Sequence, residues 1–408
     1  MPVFDVMVVG AGPAGAAAAR ALAAGGARVC LLERARFPRN KPCGGGITTR
    51  ALSRFPWLEP ALPRISTHRV SRLFLEAGGS HVALTSERPA VLLVRRYEFD
   101  ELLARLAVES GATLCEEAWV SQAQADEDGV TVRTRDGREF DGRYLVAADG
   151  VNGVLTRRLG LHPGWDSGAV ALDMMEEAPD DRLRATDPGT LWVSYGHGGT
   201  DGYGYVFPKQ GHVNVGVGCL LSYFKEQVAL PPYEVQRGFV DDLVGRGVLE
   251  GASNREHFTP CHIPVGGPIA RTAAGRVLVA GDAGGFVNAY TAEGIYYAMV
   301  TGELAAGAIL AAMGNGGPDH REAGRCYVRA WRREIGAELR DARLIQKYLF
   351  SDPKRIAAVV NGAGDYPDLA QSIIAYAMGT ITYAAARRRV LSQFPRTALR
   401  LARIALFG

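Results

Sequence analysis

The chain carries almost no excess charge: Lys+Arg 46 stand against Asp+Glu 43 in 408 residues, a formal net charge of +3. So even a balance exerts no overall pull on nucleic acid. The six cysteines, Cys30, Cys43, Cys115, Cys219, Cys261 and Cys326, lie far apart without a C-x-x-C pair or a Cys/His spacing that closes around zinc. No metal site is expected, and reduced thiols fit a cytoplasmic setting. The opening MPVFDVMVV lacks the basic start and long apolar stretch of a signal peptide and reads as a strand. Repeats and low-complexity linkers are missing, and Gly 50 and Pro 21 follow no period, which excludes a collagen-like chain. With 47% hydrophobic and 22% charged residues, disorder and coiled coil are excluded too.

Against that plain background the glycines cluster. Phe4 to Val9 is a short apolar run, Gly10, Gly12 and Gly15 spell G-x-G-x-x-G around Ala14, and Ala16 to Ala24 has a helical pattern ending at Gly25-Gly26. A second apolar run, Arg28 to Leu32, ends in Glu33 followed by Arg34. Strand, glycine turn, helix and strand make a βαβ unit, with an acidic residue about 20 residues after the turn, where a ribose hydroxyl is held. Gly12 lets backbone approach a pyrophosphate; Gly15 and Ala19 let the helix lie close on its strand. Dinucleotide binding follows.

Further along, Asp100 to Ser110 reads as a helix, Asp126 to Gly129 as a hairpin turn, and Arg143 to Ala147 as a strand delivering Asp149-Gly150. From about Ala169 to Ile269 the pattern alternates, clearest in Val213, Val215 and Val217, and predicts antiparallel sheet. Arg276 to Ala280 returns as a buried strand ending in Gly281-Asp282, and Glu293 to Met313 is a long helix. The expected class is α/β: a discontinuous Rossmann-like dinucleotide domain (1–165 and 270–315), an inserted antiparallel sheet domain (166–269, with 66–90 contributing) and a C-terminal helical region (316–408).

The order of Gly10 to Gly15, Glu33, Lys41-Pro42-Cys43-Gly44-Gly45-Gly46, Ala148-Asp149-Gly150 and Gly281-Asp282-Ala283 resembles the geranylgeranyl reductases, FAD-dependent oxidoreductases of the para-hydroxybenzoate hydroxylase-like superfamily. The likeness runs from about residue 4 to 310. It implies FAD as cofactor, and Glu33 suits an adenosine ribose without a 2′-phosphate. By the same resemblance Asp282 meets the ribityl chain, or caps a helix, or both. Arg96 approaches flavin and pyrophosphate, or instead pairs on the surface with Glu98 or Asp100. Asp149 lies near the cofactor, although Gly153 replaces the family's usual Ser. Ala292, Gly294 and Ile295 open the long helix, whose free N–H groups would face the flavin pyrimidine edge and stabilise the reduced form. Ala292 and Ala289 replace the usual Gly and Pro.

Tyr203, Tyr205, Phe207 and Pro208, then Gly216 and Gly218, resemble the family's Y-x-W-x-F-P…G-x-G signature for a lipid cavity, with Tyr205 in place of Trp. Alternation puts the three aromatics on one strand face, as a wall for a long apolar chain or as ordinary sheet packing. Cys43, with Gly44 and Gly45 beside it, either supplies a proton during alkene saturation or is inert packing. The expected reaction is saturation of an isoprenoid chain on a lipid, a quinone or a chlorophyll precursor. Cys43 and Tyr205 are the expected catalytic residues. A flavin monooxygenase or halogenase acting on an aromatic or polyketide substrate is the alternative. No second glycine fingerprint follows a strand, so the electron donor is NAD(P)H visiting transiently or another reduced carrier. Leu369 to Ala386 is uncharged, Arg387-Arg388-Arg389 follows, and Arg396, Arg400 and Arg403 share a face opposite Leu399, Ile404 and Phe407. This terminus either lies peripherally on the cytoplasmic face of a membrane or docks on the protein's own body.

Overall fold

Every residue of the first strand, Phe4–Val9, beyond its opening pair is buried, because the strand sits in the middle of a sheet covered on both faces. Val6 and Val8 point into one core, with the helices, while Met7 and Val9 point into the other, with the hairpin Val120–Ala125 and Val130–Thr134. A computed structural model describes residues 4–86, 91–197, 202–314, 321–349 and 381–389, with isolated positions between 355 and 392. In the eight-stranded sheet, Ala273–Ala274, Val277–Val279, Glu139–Ala147, Phe4–Val9, Val29–Leu32 and Thr113–Cys115 lie side by side in that order. The pairings from Val277–Val279 onward are parallel.

The helix Pro13–Ala24 leaves the glycine turn and crosses the helix Ile295–Gly314 so closely that a Cβ on Gly302 would stand 2.1 Å from the Ala14 carbonyl oxygen. Small residues make this contact: Ala14 and Ala16 to Ala19 are all buried. Ile295–Gly314 has a mean hydropathy of 1.4, enough by length and composition for a bilayer, but 72% of that window is buried inside the protein. It is the core helix of the nucleotide-binding half.

The middle of the chain forms a seven-stranded sheet in the order Phe258–Pro264, Val170–Pro179, His212–Leu220, Tyr203–Lys209, Thr190–Tyr195, Arg72–Ala77 and Ser80–Thr85. One face buries Val213, Val215 and Val217 against Phe239, Val240 and Leu243 of the helix Pro232–Gly245. Each such side chain contributes about 1.5–3 kcal/mol. The sheet is antiparallel except where Thr190–Tyr195 runs parallel to Arg72–Ala77, a strand supplied from a separate stretch of chain.

Two expected boundaries move. The second long helix is Arg96–Glu109, so Arg96 is its first residue rather than a neighbour of its start, and it pairs with Asp100 one turn on. The long helix starts at Ile295 rather than Glu293, because the Asn288 side-chain oxygen accepts from the Tyr290 and Thr291 N–H groups and holds a turn there. C-terminal helices Arg321–Trp331 and Ala337–Leu349 cap the nucleotide sheet: the Tyr327 hydroxyl donates to the Val279 carbonyl at 2.6 Å and Trp331 Nε1 to Thr272 at 3.1 Å. In the uncharged stretch, the Tyr376 hydroxyl donates to Glu338 at 2.9 Å and Arg387 pairs with Asp341 at 3.2 Å. The face formed by Arg396, Arg400 and Arg403 lies outside the described residues.

Candidate functional site

Between the two large sheets lies a cavity of about 470 Å³. The glycine turn after Phe4–Val9 forms one end. A Cβ on Gly12 would meet nothing within 4 Å, leaving its backbone open to the cavity, whereas a Cβ on Gly15 would fall 1.8 Å from the Gly10 carbonyl oxygen. Gly10, Gly12 and Ala14 line the cavity; Gly15 does not, and serves the close packing of turn on helix. Below the turn, the buried Glu33 carboxylate accepts from the Ala11 N–H at 3.0 Å and the Ala35 N–H at 3.2 Å. Arg34 lines the same end.

A chain of charges runs from Glu33 toward the middle. Arg39 donates to Glu33 at 3.3 Å and to Asp100 at 2.9 Å, and Asp100 also accepts two hydrogen bonds from Arg96, at 2.5 and 2.8 Å. Asp100 is wholly buried, yet the two guanidiniums outweigh that burial and hold its carboxyl below the usual range. Arg96 lines the cavity, and its pairing with Asp100 is buried rather than on the surface. Its neighbour Arg95 turns away to Glu177 at 2.8 Å.

The loop from Arg39 to Gly46 brings Cys43, Gly44 and Gly45 to the cavity wall. It rests on the aromatic strand, since a Cβ on Gly44 would lie 2.7 Å from the Phe207 ring. The buried Lys209 ammonium, paired with Glu177, reaches the Cys43 carbonyl at 3.4 Å, and burial pulls the ammonium's pKa down. Tyr203, Tyr205 and Phe207 line the wall beside this loop with ring centroids 6.3 and 4.8 Å apart. Tyr195 and Tyr290 extend that wall as a stacked pair, centroids 6.2 Å apart.

Asp149, Asp282, Ala292, Gly294 and Ile295 close the cavity. Asp149 Oδ2 accepts from the Val154 and Leu155 N–H groups at 2.7 and 3.0 Å, while Oδ1 is buried without a partner. Burial raises its pKa. A Cβ on Gly153 would sit 2.2 Å from the Asp149 carboxyl carbon, so the serine usual in the family would collide here. Ala292 has φ of +55°, the left-handed backbone that the family's usual glycine adopts freely. Glu293, which follows Ala292, has its pKa raised to about 7, chiefly by burial and partly offset by Arg50.

Besides Gly15, four predicted residues do not reach this cavity. Gly281 donates its N–H to the Thr301 hydroxyl at 3.0 Å and shapes the turn before Asp282. Pro208 is buried in its strand. Gly216 makes room for Tyr205, whose hydroxyl would be 2.4 Å from a Cβ there. Gly218 borders an adjoining small cavity of about 60 Å³ on the same face of the sheet, which shares Asp173, Tyr203 and Tyr205 with the large one.

The chain matches the FAD binding domain family over residues 3–320. It is 32% identical to menaquinone reductase of Mycobacterium tuberculosis over 74% of this chain and 75% of that one. It is also 32% identical to digeranylgeranylglycerophospholipid reductase 1 of Methanopyrus kandleri, over 74% and 79%. The chain belongs to the geranylgeranyl reductase family of FAD-dependent oxidoreductases. A solved geranylgeranyl bacteriochlorophyll reductase-like protein of Thermoplasma acidophilum has the same fold, with a TM-score of 0.79 over 98% of each chain at 19% identity. FAD suits the cavity of this family member on its own terms: open backbone at Gly12 and an elongated lumen running to the aromatic wall.

Sequence reasoning missed Asp173, Arg39, Lys209, Tyr195 and Tyr290. The signal for Asp173 was present: one carboxylate interrupts the apolar run Val170 to Met175 of a core strand.

Proposed function

We propose that this enzyme saturates C=C bonds in a geranylgeranyl-type isoprenoid chain carried on a lipid or quinone. One observation carries the reading: the dinucleotide turn, the Cys43 loop and the aromatic strand Tyr203 to Phe207 face a single continuous cavity. Gly10, Gly12 and Ala14 hold the pyrophosphate, Glu33 and Arg34 the adenosine end, and Arg96 the middle. Asp282 takes the ribityl chain, with Asp149 and the loop glycines Gly44 and Gly45 beside the cofactor. The Gly294 and Ile295 N–H groups would face the pyrimidine edge, those of Ala292 and Glu293 being already given to the Asn288 carbonyl and the Thr291 hydroxyl. FAD, when held there in reduced form, would supply a hydride to one carbon of the alkene. The chain's own residues do the remainder: the rings of Tyr203, Tyr205 and Phe207 align the apolar substrate and exclude water, and an acid at that wall gives a proton to the other carbon. Cys43 and Tyr205 are the acids that stand there.

The likeness to a digeranylgeranylglycerophospholipid reductase supports a reduced-isoprenoid product. The electrons come from NAD(P)H or another reduced carrier, and the enzyme works in the cytoplasm, meeting the membrane through its C-terminus to fetch its substrate. The test is anaerobic: dithionite-reduced protein is mixed with geranylgeranyl lipids, and products are read by mass. Gains in steps of two hydrogens support the reading; conversion that requires oxygen refutes it in favour of oxygen insertion. Cys43→Ala should keep its FAD and lose turnover, and wild-type turnover in that variant removes Cys43 from the mechanism and leaves Tyr205.

A further inference from the structure

Asp173 sits where a carboxyl is costly. It is 5% exposed, in the middle of the strand Val170–Pro179, on a wall otherwise built from tyrosine rings and aliphatic side chains. The Tyr205 hydroxyl is 3.0 Å from Oδ2, Cys261 Sγ is 4.0 Å away, and Oδ1 is buried with no hydrogen-bond partner. Among the described residues it makes no ion pair, and Lys41 is the cation whose field reaches it. Tyr203 on the same strand as Tyr205, Cys43 on the adjacent loop and Cys261 on the neighbouring strand complete the titratable groups around it. An ionised carboxylate with one oxygen unserved in such a wall loses several kcal/mol of solvation, so the neutral acid is favoured. Burial accordingly raises its pKa to about 6, with the Tyr205 hydrogen bond opposing.

Its position is as telling as its chemistry. Asp173 and Tyr205 line both the large cavity and the small one that adjoins it. The small cavity, about 60 Å³ and edged by the buried Gln346, has room for water. The carboxyl thus borders both the substrate side and a space with room for water, with the Tyr205 hydroxyl hydrogen-bonded to it.

We propose that Asp173 is the proton reservoir of the saturation reaction: water in the small cavity charges it, and it feeds the substrate wall through the Tyr205 hydroxyl. This rests on the reductase reading above. In each cycle the alkene gains one hydride, and its second new C–H bond takes the Tyr205 hydroxyl proton. The tyrosine oxygen takes the Asp173 proton, and the carboxylate left behind regains one from water. The alkene is reduced by two electrons and the flavin is oxidised by two, with one solvent proton consumed. Several bonds in one isoprenoid chain require a source that refills, which a lone residue facing a dry lumen does not provide. Because it acts through Tyr205, Asp173 is a positioning residue.

The experiment compares FAD-loaded wild type, Asp173→Asn, Asp173→Glu and Tyr205→Phe. The infrared carboxylic-acid band in the wild type minus Asp173→Asn difference should disappear as pH rises through about 6. Single-turnover saturation by the pre-reduced wild type should fall over the same interval. Asp173→Asn should lose about 100-fold or more in turnover, with KM and FAD content unchanged and the pH dependence gone. Tyr205→Phe should match it, the double variant should be no worse, and Asp173→Glu should recover part of the rate. Cys43→Ala should keep the wild-type pH profile whatever its rate. A wild-type rate and pH profile in a folded, FAD-loaded Asp173→Asn overturns the proposal and leaves the reductase reading standing. A wild type that saturates no isoprenoid overturns both.

Discussion

Replacing Asp100 by Asn leaves the shape of the site almost untouched and removes one negative charge from a place water does not reach. Asp100 is the only carboxylate hydrogen-bonded to Arg96 among the described residues, and it shares Arg39 with Glu33. Afterwards Arg96 is a buried cation facing a neutral amide, and Arg39 keeps only Glu33. Removing one partner of a buried ion pair costs about 3–5 kcal/mol, because the remaining charge has lost both its hydration and its counter-ion. Urea unfolding followed by circular dichroism should register a loss of that size. FAD titration by flavin fluorescence should register weaker binding, since both arginines line the cavity. The pH sign also follows. The Asp100 pKa is depressed in the folded protein, so its contribution is complete above the ordinary carboxyl range, near 4, and is lost as pH falls through the folded value. The gap between wild type and variant should therefore narrow in acid. Changing Arg96 and Asp100 together to Leu should recover stability relative to Asp100→Asn while still impairing FAD binding. A loss below about 1 kcal/mol in Asp100→Asn would refute the claim that this carboxylate holds the two arginines in place.

Three further perturbations follow from the site. Ala292→Gly should stabilise the protein by about 1 kcal/mol, because the left-handed φ costs alanine about 1–2 kcal/mol and glycine's extra unfolded-state entropy returns only part of that; a thermal shift downward would contradict it. Gly216→Ala puts a methyl 2.4 Å from the Tyr205 hydroxyl, so the ring must move off Asp173. It should cost about 1–3 kcal/mol and most of the turnover while FAD stays bound, and full turnover would mean the ring's placement is unimportant. Glu293→Gln should flatten the pH dependence of stability. The wild-type carboxyl, raised to about 7, carries a growing penalty as pH rises from its ordinary value that levels off above 7. The variant's advantage there should be at most about 3 kcal/mol, and parallel stability curves would sink the assignment.

What the sequence displayed was local, and what it hid was long-range. The glycine turn and the alternation of Val213, Val215 and Val217 depend on neighbours a few residues away, and Glu33 on a turn 22 residues earlier at a fixed spacing, so periodicity and spacing were enough to read them. Arg39 is different: its partners Glu33 and Asp100 include one 61 residues distant, and only the fold brings it to the cavity. Lys209 ends the aromatic strand and reads as a surface residue, yet its ammonium is drawn under the Cys43 loop by Glu177. Gly216 is the reverse case. The motif placed it at the substrate, whereas its missing side chain is needed by Tyr205.

These long-range ties bear most heavily on one short loop. Arg39 fastens its start to Asp100 and hence to the nucleotide half, while Lys209 holds the Cys43 carbonyl and the Phe207 ring packs against Gly44 from the sheet half. Cys261, also on the sheet, lies with its sulfur 3.7 Å from the Pro42 carbonyl. The position of Cys43 is therefore set jointly by the two halves, whereas the glycine turn at Gly10 to Gly15 is set by one. A perturbation that slides the sheets past each other should displace Cys43 before it disturbs the pyrophosphate end, so that catalysis fails while the cofactor remains bound. The geometry thus separates holding the flavin from presenting the substrate to it, and gives each task its own set of contacts.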